Sequence, residues 1–193
     1  MDPESSGYLN STIEQVLKEL SSCVRQVSTA NLVYAGNLIE EAARIFVSGA
    51  GRSGLCMRSL GVRLVHLGKT VYIVGETTTP SITAGDLLII GSGSGQTASV
   101  LLIAERAKRQ NANILLFPTD ASSPLTEFAD HQVIIPAPSL NMSKQINSLI
   151  SVQPMGTLFE QSLLILCDSL VLTLMQRIGV SNAQMRKRHA NLE

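Results

Sequence analysis

Two short segments rich in glycine and serine carry the residues of this chain that are best suited to chemistry. The first, "SGAGRSG", occupies residues 48–54, and the second, "GSGSGQT", occupies residues 91–97. Each follows a run of apolar residues and precedes a helical pattern. Glycines let backbone N–H groups approach a ligand closely, hydroxyls add donors, and a helix N-terminus attracts anions. Together the two segments predict a phosphate-binding site.

Either segment alone also fits a tight turn between a strand and a helix, because a single glycine motif is weak evidence of a ligand. The chain has no GKS or GKT, so it carries no Walker loop. "GAGRSG" lacks the full GxGxxG spacing, and Glu76 is the only acidic residue near the end of the second predicted strand. We therefore expect a phosphorylated metabolite smaller than a dinucleotide, bound by Gly51, Ser53, Ser92, Gly93, Ser94, Gly95 and Thr97.

The elements that must position these segments alternate along the chain. Apolar spacing predicts helices over 12–27, 31–43, 55–67, 98–110 and 157–178, with a short helix over 124–129 and another from Asn182. Short apolar runs predict strands at 45–47, 70–74, 87–90, 113–117 and 132–135. This alternation is typical of a parallel sheet covered by helices on both faces. In a doubly wound sheet ordered 2-1-3-4-5, strands one and three are neighbours, so both glycine segments would open into one crevice.

The composition of the chain limits the classes of partner and the cellular compartment that we expect. The 193 residues include 15 Lys and Arg against 15 Asp and Glu, and this zero net charge argues against a nucleic-acid or membrane-surface protein. We expect no transmembrane segment, since no run of about 18 uncharged apolar residues exists. The three cysteines form no CxxC pair and indicate reduced thiols in a cytoplasmic protein.

The ends of the chain and one long helix bear on its organisation. Residues 1–10 are interpreted as a disordered or artificially added start, and residues 11–193 as a single domain. Ser11 fits an N-cap for the first helix, with Glu14 completing a capping box. The predicted helix 157–178 is apolar nearly all round. Such a helix should be buried on both sides, and in a chain this short we expect the second side to contact another subunit.

The glycine segments resemble those of the sugar isomerase (SIS) domain family of phosphosugar isomerases and phosphosugar-binding proteins. Further stretches, "RLVHLG", "QPMGTLFEQ" and the terminal "RHANLE", are similar to the hexulose phosphate isomerases within it. The resemblance implies a three-layer α/β/α sandwich with a flavodoxin-like five-stranded parallel sheet, often assembled as a homotetramer. It also implies isomerisation of D-arabino-hex-3-ulose 6-phosphate to D-fructose 6-phosphate through a cis-enediol, in the ribulose monophosphate pathway of formaldehyde fixation, paired functionally with a hexulose phosphate synthase.

Three residues are expected to catalyse this isomerisation. The resemblance implies that Glu160 is the base, although Thr157 and Glu160 also fit a T-x-x-E capping box in which the glutamate only caps its helix. His189 is the expected acid or proton shuttle, often supplied to a neighbouring subunit, although a residue near the terminus is usually exposed and frayed. Arg52 would contact phosphate or the enediolate, the alternative being a surface arginine. His66 and His131 are interpreted as structural.

No redox cofactor or metal is expected, because the reaction only moves protons and the three histidines form no HxxxH or HxH pair. Two other functions remain open at this point. One is another isomerase of the family, such as an arabinose 5-phosphate isomerase, although its characteristic "HPGG" stretch is missing. The other is a non-enzymatic phosphosugar sensor, although sensors usually carry a helix-turn-helix domain, for which 193 residues leave no room.

Overall fold

A computed structural model of the chain describes residues 3–138 and 151–192. Met1, Asp2 and Glu193, which belong to the predicted start and the terminal motif, lie outside the described residues. Helices and strands follow one another as α1 Pro3–Arg25, α2 Thr29–Glu41, β1 Ile45–Gly49, α3 Gly51–Leu67, β2 Val71–Ile73, β3 Leu87–Gly91, α4 Ala98–Arg109, β4 Asn113–Phe117, a 3₁₀ helix Pro124–Glu127, β5 His131–Gln132, α5 Thr157–Arg177 and α6 Asn182–Lys187.

The five strands form one sheet in the order β2-β1-β3-β4-β5, and every neighbouring pair is parallel. β1 and β3 are therefore adjacent, with Ile45 opposite Leu87 at one end and Gly49 opposite Gly91 at the other. This confirms the predicted α/β class and strand order. It also confirms that the two glycine segments leave the same edge of the sheet side by side.

The sheet is buried on both faces, so its central strands are apolar without alternation. Along β3, Leu87 and Ile89 join a core with α1, α2, α3 and α5, whereas Leu88 and Ile90 face α4 and the 3₁₀ helix. All four side chains are at most 1% exposed. The result is a three-layer α/β/α sandwich, as the resemblance implied.

The structure corrects three predicted boundaries. α1 begins at Pro3, so the described part of the predicted disordered start is helical, and Ser11 lies inside the helix, where its hydroxyl donates to Tyr8 O instead of capping. α3 begins at Gly51, four residues before the predicted start, which moves Arg52 and Ser53 from a loop into a helical turn. β5 is shorter and lies earlier than the predicted strand, at His131–Gln132.

Helix α5 is the one helix in the described ranges that is long and apolar enough to cross a membrane, and half of that stretch is buried inside the monomer. Its packing against α1, α2 and α3 is that of a core helix. Leu164, Ile165 and Leu172 on its outer side are exposed. The second side of α5 thus remains apolar surface in the isolated chain.

An ion pair ties the opposite edge of the sheet together, one residue before β1 and one residue before β3. Arg44 donates from Nε to Asp86 Oδ1 at 2.9 Å and from Nη2 to Asp86 Oδ2 at 2.6 Å. The Asp86 side chain is 2% exposed. Burial opposes its ionisation, but hydrogen bonds from Arg44 and Thr83 outweigh this and lower the pKa of Asp86.

We expect Asp86→Asn to destabilise the fold, because it leaves the Arg44 guanidinium beside a buried neutral group. A carboxyl whose pKa is lowered by folding stabilises the protein above its unfolded pKa of about 4, and the effect is lost as pH falls through the folded pKa. The loss in melting temperature for Asp86→Asn should therefore be full at neutral pH and shrink below about pH 4. Calorimetry over that range tests this, with Glu105→Gln, in an exposed ion pair, as the control. An Asp86→Asn protein as stable as the wild type at pH 7 would contradict it.

Candidate active site

A cavity of about 520 Å³ opens at the edge of the sheet where β1 and β3 end. The first turns of α3 and α5 and the N-cap of α4 line it together, so three helix N-termini converge on one space. Unpaired N–H groups and the helix dipoles there favour an anion. The lining residues are Ala50, Arg52, Ser53, Gly91, Ser92, Gly93, Ser94, Thr97, Thr119, Pro138, Pro154, Met155, Gly156, Thr157, Phe159 and Glu160.

The first glycine segment turns sharply from β1 into α3. The backbones of Gly49 and Gly54 are in close contact. A Cβ added at Gly54 would lie 2.6 Å from Gly49 O, so no other residue fits there. Gly51 has a φ of +54°, which side chains rarely adopt, and opens the helix. This tight turn brings Arg52 and Ser53 to the cavity wall.

The second glycine segment forms a loop between β3 and α4. Ser92 is buried, Ser94 is half-buried and its Oγ accepts from Gln96 N at 3.3 Å, and Thr97 is the N-cap of α4 without a side-chain cap hydrogen bond. Gly95 has a φ of +58°, and a Cβ there would lie 2.2 Å from Ser123 Oγ. The loop thus needs glycine and holds three hydroxyls in or beside the cavity.

Glu160 lies in the first turn of α5 and pairs across the cavity with the first glycine segment. Its Oε2 is 2.9 Å from Arg52 Nε, and the side chains of Glu160 and Arg52 are 16% and 61% exposed. The alternative that Glu160 closes a capping box with Thr157 is wrong. The N-cap is Gly156, and the Thr157 hydroxyl donates instead to Pro154 O at 2.6 Å.

The thiol of Cys56 lies behind the Arg52–Glu160 pair, one helical turn along α3. Its Sγ donates to Glu160 O at 3.4 Å. Burial and then the negative charge of Glu160 raise the pKa of Cys56. The thiol is therefore held protonated, and it supports the start of α5 rather than acting as a nucleophile.

His189 does not line the cavity of its own chain. Its ring stacks on His66, with centroids 5.1 Å apart, at the C-terminal end of α3. Arg188 fixes this segment by donating to His66 O at 2.9 Å. Arg52 is at the other end of α3, whose 17 residues span about 25 Å at 1.5 Å per residue.

The two other histidines are packed into the structure, as expected. Burial, and then the positive charges of His189 and Arg63, lower the pKa of His66. His131 contacts Asn31 O through Nε2 at 2.9 Å, and its ring lies 4.6 Å from that of Tyr34. Neither ring lines the cavity. Within the described ranges, no three His, Cys, Asp or Glu side chains are grouped to hold a metal ion.

Sequence reasoning missed several lining residues. Thr119 donates from Oγ1 to Gly93 O at 2.7 Å and so helps to hold the second glycine segment in place. Phe159 packs against Gly93, where a Cβ would lie 3.1 Å from its ring, and Met155 has a φ of +58°. The available signal for Thr119 was its place just after β4, whose last residue, Phe117, lies opposite Gly91.

Comparison with known proteins gives a consistent result. The SIS domain model matches residues 38–165. Proteins named 3-hexulose-6-phosphate isomerase from Mycobacterium gastri and Bacillus subtilis are 40% and 38% identical, over 96% and 94% of this chain and 92% and 97% of their own lengths. A Methanococcus jannaschii structure, from which a 3-hexulose-6-phosphate isomerase function was inferred, superposes with a TM-score of 0.82 at 34% identity, over 95% of this chain and 99% of that one.

If the glycine segments bind phosphate, removing their hydroxyls should weaken the binding of a phosphosugar. We expect Ser94→Ala to cost about 1–3 kcal/mol of fructose 6-phosphate affinity through a lost charge-assisted hydrogen bond, and the Ser53/Ser94 double alanine variant to lose more. Ser99→Ala, exposed on α4 beyond the cavity, is the control. Titration calorimetry that gives the double variant wild-type affinity would refute the predicted phosphate site.

Proposed function

The chain belongs to the SIS domain family, and we propose that within it the protein is a 3-hexulose-6-phosphate isomerase. It converts D-arabino-hex-3-ulose 6-phosphate to D-fructose 6-phosphate. The observation that carries the proposal is the pairing of a shielded carboxylate, Glu160, with Arg52 in the same cavity as two hydroxyl-bearing glycine segments. Relatives of that name match nearly the whole chain.

The glycine segments bind the phosphate of the sugar. Ser53, Ser92, Ser94 and Thr97 donate hydroxyl hydrogen bonds, and backbone N–H groups at Gly51, Gly93 and Gly95 add to them. The N-termini of α3 and α4 supply positive potential for the dianion. Anchoring the phosphate fixes the distance of C2 and C3 from Glu160, and this orientation accounts for part of the rate acceleration.

The chemistry moves a carbonyl from C3 to C2 without net oxidation. Glu160 accepts the C2 proton, the C2–H bonding pair forms the C2–C3 double bond, and the C3 oxygen becomes negative. A proton then passes from the C2 hydroxyl to the C3 oxygen. The C2 carbonyl forms as C3 takes the proton back from Glu160. Arg52 keeps Glu160 oriented and places positive charge beside the enediolate.

The proton shuttle between the two oxygens is assigned to His189 of a neighbouring subunit. Histidine titrates near neutral pH and can both donate and accept. Two observations support sharing: His189 is at the far end of α3 from its own cavity, and apolar side chains are exposed along α1 and α5, among them Leu9, Ile13 and Leu172. The two helices pack against each other, and exposed apolar side chains on neighbouring helices are typical of subunit contacts. We propose a homotetramer.

The setting follows from the reaction. We propose that the enzyme works in the cytoplasm, consistent with the three free cysteines. Its place is after a hexulose phosphate synthase, in the ribulose monophosphate pathway of formaldehyde fixation. An assay that couples fructose 6-phosphate formation to hexulose phosphate generated by such a synthase tests the proposal directly. Tight fructose 6-phosphate binding without turnover would instead indicate a phosphosugar sensor.

We expect Glu160→Gln to lower turnover by about 10²-fold or more, because the amide keeps the shape of the side chain but cannot accept the proton. Fructose 6-phosphate affinity should change little, since the glycine segments are untouched. Kinetics and calorimetry on the same samples separate the two quantities, with Glu105→Gln as the control. Near-wild-type turnover by Glu160→Gln would remove the proposed mechanism.

Mixing variants tests whether the site is shared. His189→Ala and Glu160→Gln subunits are each expected to be nearly inactive, but co-assembled oligomers should contain some sites with neither defect. Partial recovery of turnover after reassembly is the expected outcome, with sedimentation used to verify the oligomer and labelled subunits to verify exchange. No recovery despite proven exchange would mean that both residues serve the same chain's site.

A further inference from the structure

We propose that Glu19, on α1, is a positioning residue for the active site, which acts by fixing the segment that leads into α5. The inference rests on the proposed function, because it assigns Glu19 a role in that reaction. Glu19 precedes residues 38–165, which match the SIS domain model, and it does not line the cavity. Its effect on the site passes through residues 151–153.

The Glu19 carboxylate receives three hydrogen bonds from three consecutive residues. Ser151 Oγ donates to Oε2 at 2.6 Å, Val152 N donates to Oε1 at 3.0 Å, and Gln153 Nε2 donates to Oε2 at 3.0 Å. Ser151 Oγ in turn accepts from Gln153 N at 3.1 Å. Both carboxylate oxygens are engaged, so the segment is fixed in position and in orientation relative to α1.

The group at this place must be an ionised acceptor. Ser151, Val152 and Gln153 all present donors, and a carboxylate is an acceptor only. Burial opposes the charge, but these three hydrogen bonds outweigh it and lower the pKa of Glu19. The carboxylate is therefore ionised at neutral pH, and its hydrogen bonds are of the stronger, charge-assisted kind.

Residues 151–153, which Glu19 holds, connect directly to the turn that leads into α5 and Glu160. Pro154, Met155 and Gly156 follow it, all lining the cavity, and Glu160 N donates to Gly156 O at 3.0 Å. Met155 has a φ of +58°, a conformation that costs a non-glycine residue energy and persists only when its surroundings impose it. The Thr157 hydroxyl fixes Pro154 O from the helix side, and Glu19 fixes the other side of this turn.

The consequence is specific to the chemical step. If the turn relaxes, Glu160 shifts relative to the sugar, whereas the glycine segments that hold the phosphate do not. A displacement of about 1 Å at a reacting group can cost about 10²-fold in rate. Glu19→Ala should thus lower kcat by about ten- to hundredfold, with fructose 6-phosphate affinity within about twofold of the wild type.

The matched control is Glu14→Ala, an exposed glutamate on the same helix, which should retain wild-type kcat. Glu19→Gln should fall between wild type and Glu19→Ala, because a flip of the Gln153 amide lets a neutral amide keep part of the network. All variants are measured as the assembled protein with the coupled assay. Wild-type kcat for Glu19→Ala would overturn the proposal. A fold-loss of fructose 6-phosphate affinity as large as the fold-loss of kcat, together with a lowered melting temperature, would also overturn it.

Hydrogen exchange provides a readout that does not depend on turnover. Glu19→Ala should speed amide exchange in residues 154–160 and leave residues 92–97 unchanged. If the wild type lacks isomerase activity but Glu19→Ala speeds exchange only in residues 154–160, the proposed function is wrong, whereas the role of Glu19 in fixing this turn is confirmed. If the wild type is active and Glu19→Ala leaves exchange in residues 154–160 unaltered, the proposed function stands and only the positioning role of Glu19 is wrong.

Discussion

The parallel pairing of β1 with β3 is the constraint on which the site depends. It sets Gly49 opposite Gly91, so the turn after each strand starts at the same level of the sheet. A Cβ at Gly49 would lie 2.9 Å from Gly91 O, so this approach is closed to other residues. The ion pair between Arg44 and the buried Asp86 fixes the same two strands at their other ends. Two loops far apart in sequence thereby form one anion site.

Helix α5 packs closely against two glycines of the second segment, and this packing positions Glu160. A Cβ at Gly91 would lie 2.8 Å from Leu163, and one at Gly93 would lie 3.1 Å from Phe159. The helix can therefore lie directly on the sheet edge, and Leu163 and Phe159, both at most 3% exposed, set its height and rotation. Glu160, between them in sequence, is aimed at Arg52 by that packing. Core substitutions at Leu163 or Phe159 would change the base as well as the stability.

The fold was predictable from sequence because its signals are local: buried apolar strands, alternating helices and glycine segments at two strand ends. The features that were not predicted depend on contacts between distant residues. Thr157 and Glu160 match a capping box, but Arg52, more than 100 positions away, pairs with the carboxylate, and the helix starts one residue earlier than the box requires. The missed Thr119 and Glu19 act across 26 and more than 130 positions. No local pattern reports such pairs.

The placement of His189 makes quaternary geometry part of the proposed mechanism. Arg188 ties the terminal segment to His66 O, and its guanidinium lies against Gly68, so His189 is held at the end of α3. A histidine fixed there cannot be brought to its own cavity by a small hinge, since the length of α3 intervenes. Under the proposed shared site, the distance between shuttle and base is therefore set by how two subunits pack. Any substitution on the apolar faces of α1 or α5 that shifts this packing would alter proton transfer before it altered phosphate binding, because the glycine segments lie within one chain.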